Sequence, residues 1–131
     1  MKFRNSEQKL TIQELSEFEK EFKLKLPESY KKIMLENNGG SPEKEYFQGG
    51  SVYLDNIKYG KYPLEKSIKI LNDVLPKGFF PFADYIGQSL CIDLNEDGYG
   101  KIYFFDETGE IELVANSFDE FMEELSDDND Y

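Results

Sequence analysis

Between residues 89 and 115 three short apolar runs are separated by two polar turns, and this stretch limits the fold more than any other. Residues 89–94, 101–105 and 110–115 are rich in Leu, Ile, Phe and Tyr, whereas Asn95-Glu96-Asp97-Gly98 and Asp106-Glu107-Thr108-Gly109 have the composition of turns. Connections this short leave no room for a crossover helix, so the three strands must be antiparallel neighbours. Alternation places Leu90, Ile92 and Leu94 on one face, with Ile102 and Phe104 supplying it from the second strand. On the third strand it predicts Ile111 and Leu113 toward the core, alternating with Glu110 and Glu112.

Helices are predicted on both sides of this meander. Thr11-Ile12-Gln13-Glu14 is a capping box with Leu10 and Leu15 at staple spacing, so a helix starts near Ile12 with Ile12, Leu15, Phe18 and Phe22 as its apolar stripe. Pro27 suits the first position of a second helix carrying Tyr30, Ile33 and Met34, and Asn38-Gly39-Gly40 is expected to end it as a left-handed cap. Ser117-Phe118-Asp119-Glu120 is a second capping box, opening a helix with Phe118, Phe121, Met122 and Leu125 on one side. Between these signals, residues 43–63 suggest one or two short strands, and 67–71 fits either a strand or a helical turn. Pro81, within Phe79-Phe80-Pro81-Phe82, predicts an edge strand or a bulge. The expected organisation is one α+β domain over 1–131, a central, mostly antiparallel sheet with N-terminal helices and a C-terminal helix packed against it. Its acidic end, 126–131, is expected to fray.

Composition narrows function. The 27 acidic against 15 basic residues give a net charge of −12, which repels phosphate backbones and favours a basic protein as partner over nucleic acid. The single cysteine, Cys91, excludes an internal disulfide, and the absence of histidine removes the usual zinc and nucleophile-base constellations. Cys91 is read as a small buried hydrophobe. No window approaches the ~18 apolar residues of a membrane span, so no membrane association is expected and the cytoplasm is the expected location.

DLNEDGYG, residues 93–100, is the most metal-like segment, since Asp93, Asn95, Asp97 and Gly98 open like a calcium loop. The twelfth position, which must be a bidentate Glu, is Phe104, and the flanks are strands, so a turn is the expectation and no metal or other cofactor is assigned. An enzyme or metal protein built on Asp93, Asn95 and Asp97 is the weakest of three functional readings. Pairing Asp93 with Asp106 as acid and base has nothing to distinguish it among 27 carboxylates, so no catalytic residue is named.

Four segments, LTIQELSEFEKEFKLKLPESYKKIMLENNGG, GFFPFAD, SLCIDLNEDGYGKIYFFD and ANSFDEFMEEL, follow one another in an order and spacing that resembles the SUKH superfamily. That group includes Smi/Knr-type cell-wall regulators of fungi and many small bacterial immunity proteins. The Trp or His frequent in the family at the segment that here reads Tyr103-Phe104-Phe105-Asp106-Glu107 is missing, so no individual binding residue is carried over. The resemblance implies an α+β domain and, in bacterial members, an antidote that binds and blocks a toxin domain, often a nuclease or deaminase. The alternative it implies is a regulatory or adaptor module of the Smi/Knr type.

Acidity and Tyr-rich turns point the same way, because Tyr buries area at small entropy cost while charge steers encounter. The expectation is therefore a non-enzymatic immunity protein whose partner is a cognate, basic toxin. Loop position and residue type suggest Glu43, Glu45 and Tyr46, Asp84 and Tyr85, and the hairpin tip with Asp97 and Tyr99 as partner contacts. A monomer or weak homodimer is expected, since an exposed strand edge can pair with a second copy.

Overall fold

A computed structural model describes residues 2–106 and 108–127. Both capping signals start helices where expected. Thr11 caps α1 (Ile12–Phe22), its hydroxyl accepting from the Glu14 amide at 3.0 Å while the Glu14 carboxylate accepts from the Thr11 amide at 3.0 Å. Leu15 and Phe18 are buried, but Ile12 is 73% exposed, because the first turn projects beyond the surface that α1 covers. Pro27 caps α2 (Glu28–Glu36), one position earlier than expected. Ser117 caps the last helix, α4 (Phe118–Glu123), and all of Phe118, Phe121, Met122 and Leu125 are buried.

β1 (Phe3–Arg4) and β2 (Ser41–Pro42) form a small two-stranded sheet. The main sheet is antiparallel, its six strands adjacent in chain order: β3 (Tyr46–Phe47), β4 (Gly50–Leu54), β5 (Phe79–Tyr85), β6 (Gln88–Asp93), β7 (Ile102–Phe105) and β8 (Ile111–Ala115). The ambiguous run 67–71 belongs to a helix, α3 (Leu64–Leu71), with Leu64 and Ile68 buried. The architecture is α+β, as expected. Its core is a set of edge-on rings: Tyr30 of α2 lies 5.6 Å from Phe80 and 5.4 Å from Phe118, and Phe82 lies 5.6 Å from Phe121. Such pairs add attraction beyond the area they bury.

Pro81 pairs with Cys91 of β6 where the β5–β6 register shifts between Pro81 and Ala83, and it lies past Leu54–Ala83, where the pairing of β5 with β4 ends. The bulge beside it and the lack of a paired strand on its β4 side accommodate the residue that lacks an amide proton.

A second register shift corrects the expectation for the third strand of the meander. Ile102 pairs with Ala115, but Tyr103 pairs with Leu113 and Phe105 with Ile111, leaving Val114 as the extra residue. One additional residue reverses the facing of everything before it. Ile111 and Leu113 therefore point away from the helices and are 42% and 47% exposed.

The glycine pair after α2 is also not the expected helix cap. The helix ends at Asn37 in an extended conformation, with φ −145°, so Gly39 and Gly40, which do take positive φ (+77° and +109°), lie beyond the cap and serve a close backbone approach. A Cβ on Gly39 would stand 2.6 Å from the Asn56 amide nitrogen, and one on Gly40 2.3 Å from the Arg4 carbonyl. Gly40 exchanges two backbone bonds with Leu54, at 2.8 and 2.9 Å. Beside them Asn38 is fully buried: its amide donates to the carbonyls of Gln8 (2.9 Å) and Lys58 (2.8 Å), and its Oδ1 accepts from the Ile57 amide (3.0 Å). Of the segment expected to fray, Ser126 exchanges two backbone bonds with Tyr46 at 2.8 and 3.0 Å, and 128–131 lie outside the described residues.

Replacing Asn38 by Ala leaves the Ile57 amide and the Gln8 carbonyl without this partner and the Lys58 carbonyl with only the Asn56 bond. Asn38→Ala is expected to cost about 3 kcal/mol or more, read as a lower urea midpoint at unchanged m-value. A midpoint equal to that of the parent protein would contradict the role assigned to this side chain.

Candidate partner-binding surfaces

The residues suggested as contacts fall into two groups. Glu43 is exposed, and Glu45 beside it accepts from Arg4 Nη2 at 2.8 Å and from the Ser51 hydroxyl at 3.3 Å. Tyr46 pairs with Ser51 across the β3–β4 turn, and β4 pairs with β5 through Val52–Tyr85 and Tyr53–Asp84. Glu45, Tyr46, Asp84 and Tyr85 thus belong to one end of the sheet. Their side chains are not equivalent, because successive residues of a strand face opposite ways. Asp84 is exposed, whereas Tyr85 points toward the helices, donates to the Phe47 carbonyl at 2.8 Å and packs edge-on against Phe47 and Phe104.

Asp97 and Tyr99 sit on the β6–β7 connection at the other end. β6 pairs Gln88 with Tyr85 and Asp93 with Phe79, so a strand length of roughly 17 Å separates the two groups. Tyr99 is partly exposed and its hydroxyl donates to the Lys25 carbonyl at 2.6 Å, tying the tip to the α1–α2 linker.

The connection is the turn its composition predicts, with one substitution of roles. Asp93 is buried and its Oδ1 accepts from the Asn95 amide at 2.8 Å, while the Asn95 side chain donates to the Lys77 carbonyl at 3.0 Å. The two side chains that would begin a calcium loop are engaged with backbone. Gly100, not Gly98, takes the left-handed conformation, with φ +90°. Gly98 is required for a different reason: a Cβ there would meet the Asp93 carboxylate at 2.3 Å. Among the described residues no group of three or more Asp, Glu, Cys or His is placed to hold a metal ion.

A surface the sequence did not single out lies between α1 and the segment leading into α3. It is an open groove of about 410 Å³ whose lining includes Glu14, Glu17, Glu21 and Glu65, one cation, Lys58, and an apolar floor of Phe18 and Ile57. Glu14, Glu17 and Glu21 share one side of α1 because helical residues three and four apart are neighbours. Lys58 reaches Glu65 at 3.4 Å and stands 5.8 Å from the Tyr59 ring centre. The Tyr59 hydroxyl donates to the Glu14 carboxylate, and that bond, followed by the one from the Thr11 amide, holds the Glu14 carboxyl below its ordinary range. Glu14 thus stays charged in the groove.

Near Asp84 the electrostatics run the other way. Burial, reinforced by the Asp84 charge, pushes the half-buried Asp55 carboxyl up to about 7, and burial also raises Asp84. The unfolded carboxyl titrates near its ordinary 3.8, so between these values the folded protein retains a proton that the unfolded chain releases. Stability contributed by this group therefore falls as pH rises through that window. Asp55→Asn is expected to raise Tm at pH 8, by roughly 3 °C or more, with the gain shrinking as pH falls through the window and disappearing below the 3.8 of the unfolded carboxyl. An equal effect at either end of the window would contradict the assigned cause.

No helix among the described residues is long and apolar enough to cross a membrane. A search of curated proteins finds no significant match. The model of the SMI1 / KNR4 family (SUKH-1) matches residues 9–124, which takes in both capped helices, the sheet and the acidic groove. The chain belongs to the SMI1/KNR4 (SUKH-1) family.

Proposed function

We propose that this protein is a non-enzymatic immunity protein that binds a cognate toxin domain of opposite charge and covers its active site. The observation that carries this reading is the groove beside α1, where four carboxylates face one ammonium over an apolar floor in a chain of net charge −12. An enzyme acting on nucleic acid needs a cationic cleft to hold phosphates. Carboxylates presented on a folded surface compete for the same cations, and the excess of negative charge accelerates encounter. Phe18 and Ile57 beneath them are already buried in the core, so what the groove presents to a partner is its carboxylates on a rigid base.

The cluster Glu43, Glu45, Tyr46 and Asp84 is a second acidic contact, at the end of the sheet. Tyr85 serves there as packing rather than as contact, and Asp97 and Tyr99 engage only a partner large enough to reach the opposite end. Binding of this kind takes place where the toxin would act, in the cytoplasm.

The test is co-expression with the toxic domain encoded beside this chain. Growth is expected to be rescued, and the two proteins are expected to co-purify at moderate salt. Glu17→Lys with Glu21→Lys is expected to slow association about tenfold or more at low salt while changing dissociation less. A chain that turns over a substrate unaided, or rescue without any physical complex, would overturn the proposal.

A further inference from the structure

β8 carries Ile111 and Leu113 on the side opposite the protein's own core, while Val114 and Ala115 pack against that core. The extra residue Val114 turns Ile111 and Leu113 outward, beside the half-buried Tyr103 and Phe105 of β7, with which they pair. Glu110, just before the strand, and Glu112 within it are exposed and alternate with the outward apolar pair. β8 is the last strand in the sheet order, and among the described residues no backbone bond joins its outer edge. An open edge with exposed aliphatic side chains is an aggregation hazard that folds normally suppress. Its retention here needs an occupant.

The edge selects that occupant by charge. Residues paired across a ladder share a face, so an added strand would set its own apolar side chains beside Ile111 and Leu113 and its alternate residues beside Glu110 and Glu112. A second copy of this chain satisfies the first condition and fails the second. Two β8 strands in antiparallel contact line one seam with glutamates from both, and the copies bring −12 against −12. Like charges at such spacing destabilise a pair. A strand with Lys or Arg at the alternate positions satisfies both conditions.

We propose that the β8 edge is a strand-addition site for an extended, lysine- or arginine-bearing segment of a partner protein. For the identity of that partner as a toxin domain it rests on the function proposed above; the edge chemistry does not depend on it. Main-chain bonds supply affinity in this mode of recognition, and alternate side chains supply selectivity. The same carboxylates that prevent self-pairing admit the cationic strand.

The probe is a synthetic peptide, Lys-Val-Lys-Val-Lys-Val-Lys, titrated into the nitrogen-labelled full chain and followed by amide NMR and hydrogen exchange. Shifts are expected at 110–115 and on β7, with new exchange protection along β8, and none with the peptide in which Glu replaces Lys. Ile111→Lys with Leu113→Lys is expected to weaken binding about tenfold or more. Glu123→Gln with Glu124→Gln, which changes net charge equally at exposed positions on α4 and its cap, is expected to leave binding within about threefold. Shifts spread over the acidic surface or confined to the α1 groove would overturn the inference, as would wild-type affinity in the Ile111/Leu113 variant or self-association of the chain through β8. The co-encoded toxic domain separates the two proposals. If wild type fails to bind it while the peptide docks on β8, the immunity reading falls and the edge stands. If wild type and the Ile111/Leu113 variant bind it equally, the edge falls and the immunity reading stands.

Discussion

The buried carboxamide of Asn38 joins three parts of the chain: the segment before α1, the segment after α2 and the loop 56–59. Both of its N–H groups and its carbonyl are used, on Gln8, Lys58 and Ile57, and its own backbone carbonyl accepts from the Glu7 amide at 3.1 Å. A neighbouring buried carboxamide, Asn56, continues the pattern with bonds to the Lys58 and Tyr59 carbonyls at 3.2 and 2.6 Å. A loop with buried carbonyls is costly unless each finds a donor, and these two side chains provide them. The consequence reaches the surface, because fixing 56–59 puts Ile57, Lys58 and Tyr59 against α1 and so forms one wall of the acidic groove.

Val114 has a comparable influence at the other edge. The aromatic interior fixes the helix-facing side of the sheet through Phe80, Phe82 and Leu90, but it does not reach the solvent edge of β8. There a single inserted residue decides which side chains the solvent meets. Glutamate on one face and aliphatic side chains on the other form the edge on which the strand-addition proposal rests. The two acidic surfaces are thus produced by different means, one by loops tied to a buried amide and one by a slipped register.

Elements governed by local chemistry were legible in the sequence. Thr11 and Ser117 each accept from the amide three residues on, so their effect does not depend on the rest of the fold. The order of the meander was equally legible, because its turns are too short for any other connection. What failed was information held in distant partners. Ile111 and Leu113 alternate as a buried strand does, and nothing in residues 110–115 announces the extra residue that reverses them. Gly39 and Gly40 resemble a helix cap locally, and only Asn56, Leu54 and Arg4 reveal that their lack of Cβ serves close packing. The groove was partly visible as Glu14, Glu17 and Glu21 on one side of a helix, but its opposite wall is some 40 residues away along the chain.

In the proposed reading an acidic binding surface is built on a scaffold whose loops belong to the cooperative core. Its central structural claim is that the Asn38 bonds make the 56–59 loop part of that core rather than a surface excursion. Native-state hydrogen exchange of the Ile57 amide tests this most directly, since that N–H donates to the Asn38 side chain. The account predicts exchange only through global unfolding, with the same opening free energy as the amides of Leu90 and Ile92 in β6. Exchange orders of magnitude faster, through a local opening that leaves the β6 amides protected, would contradict it.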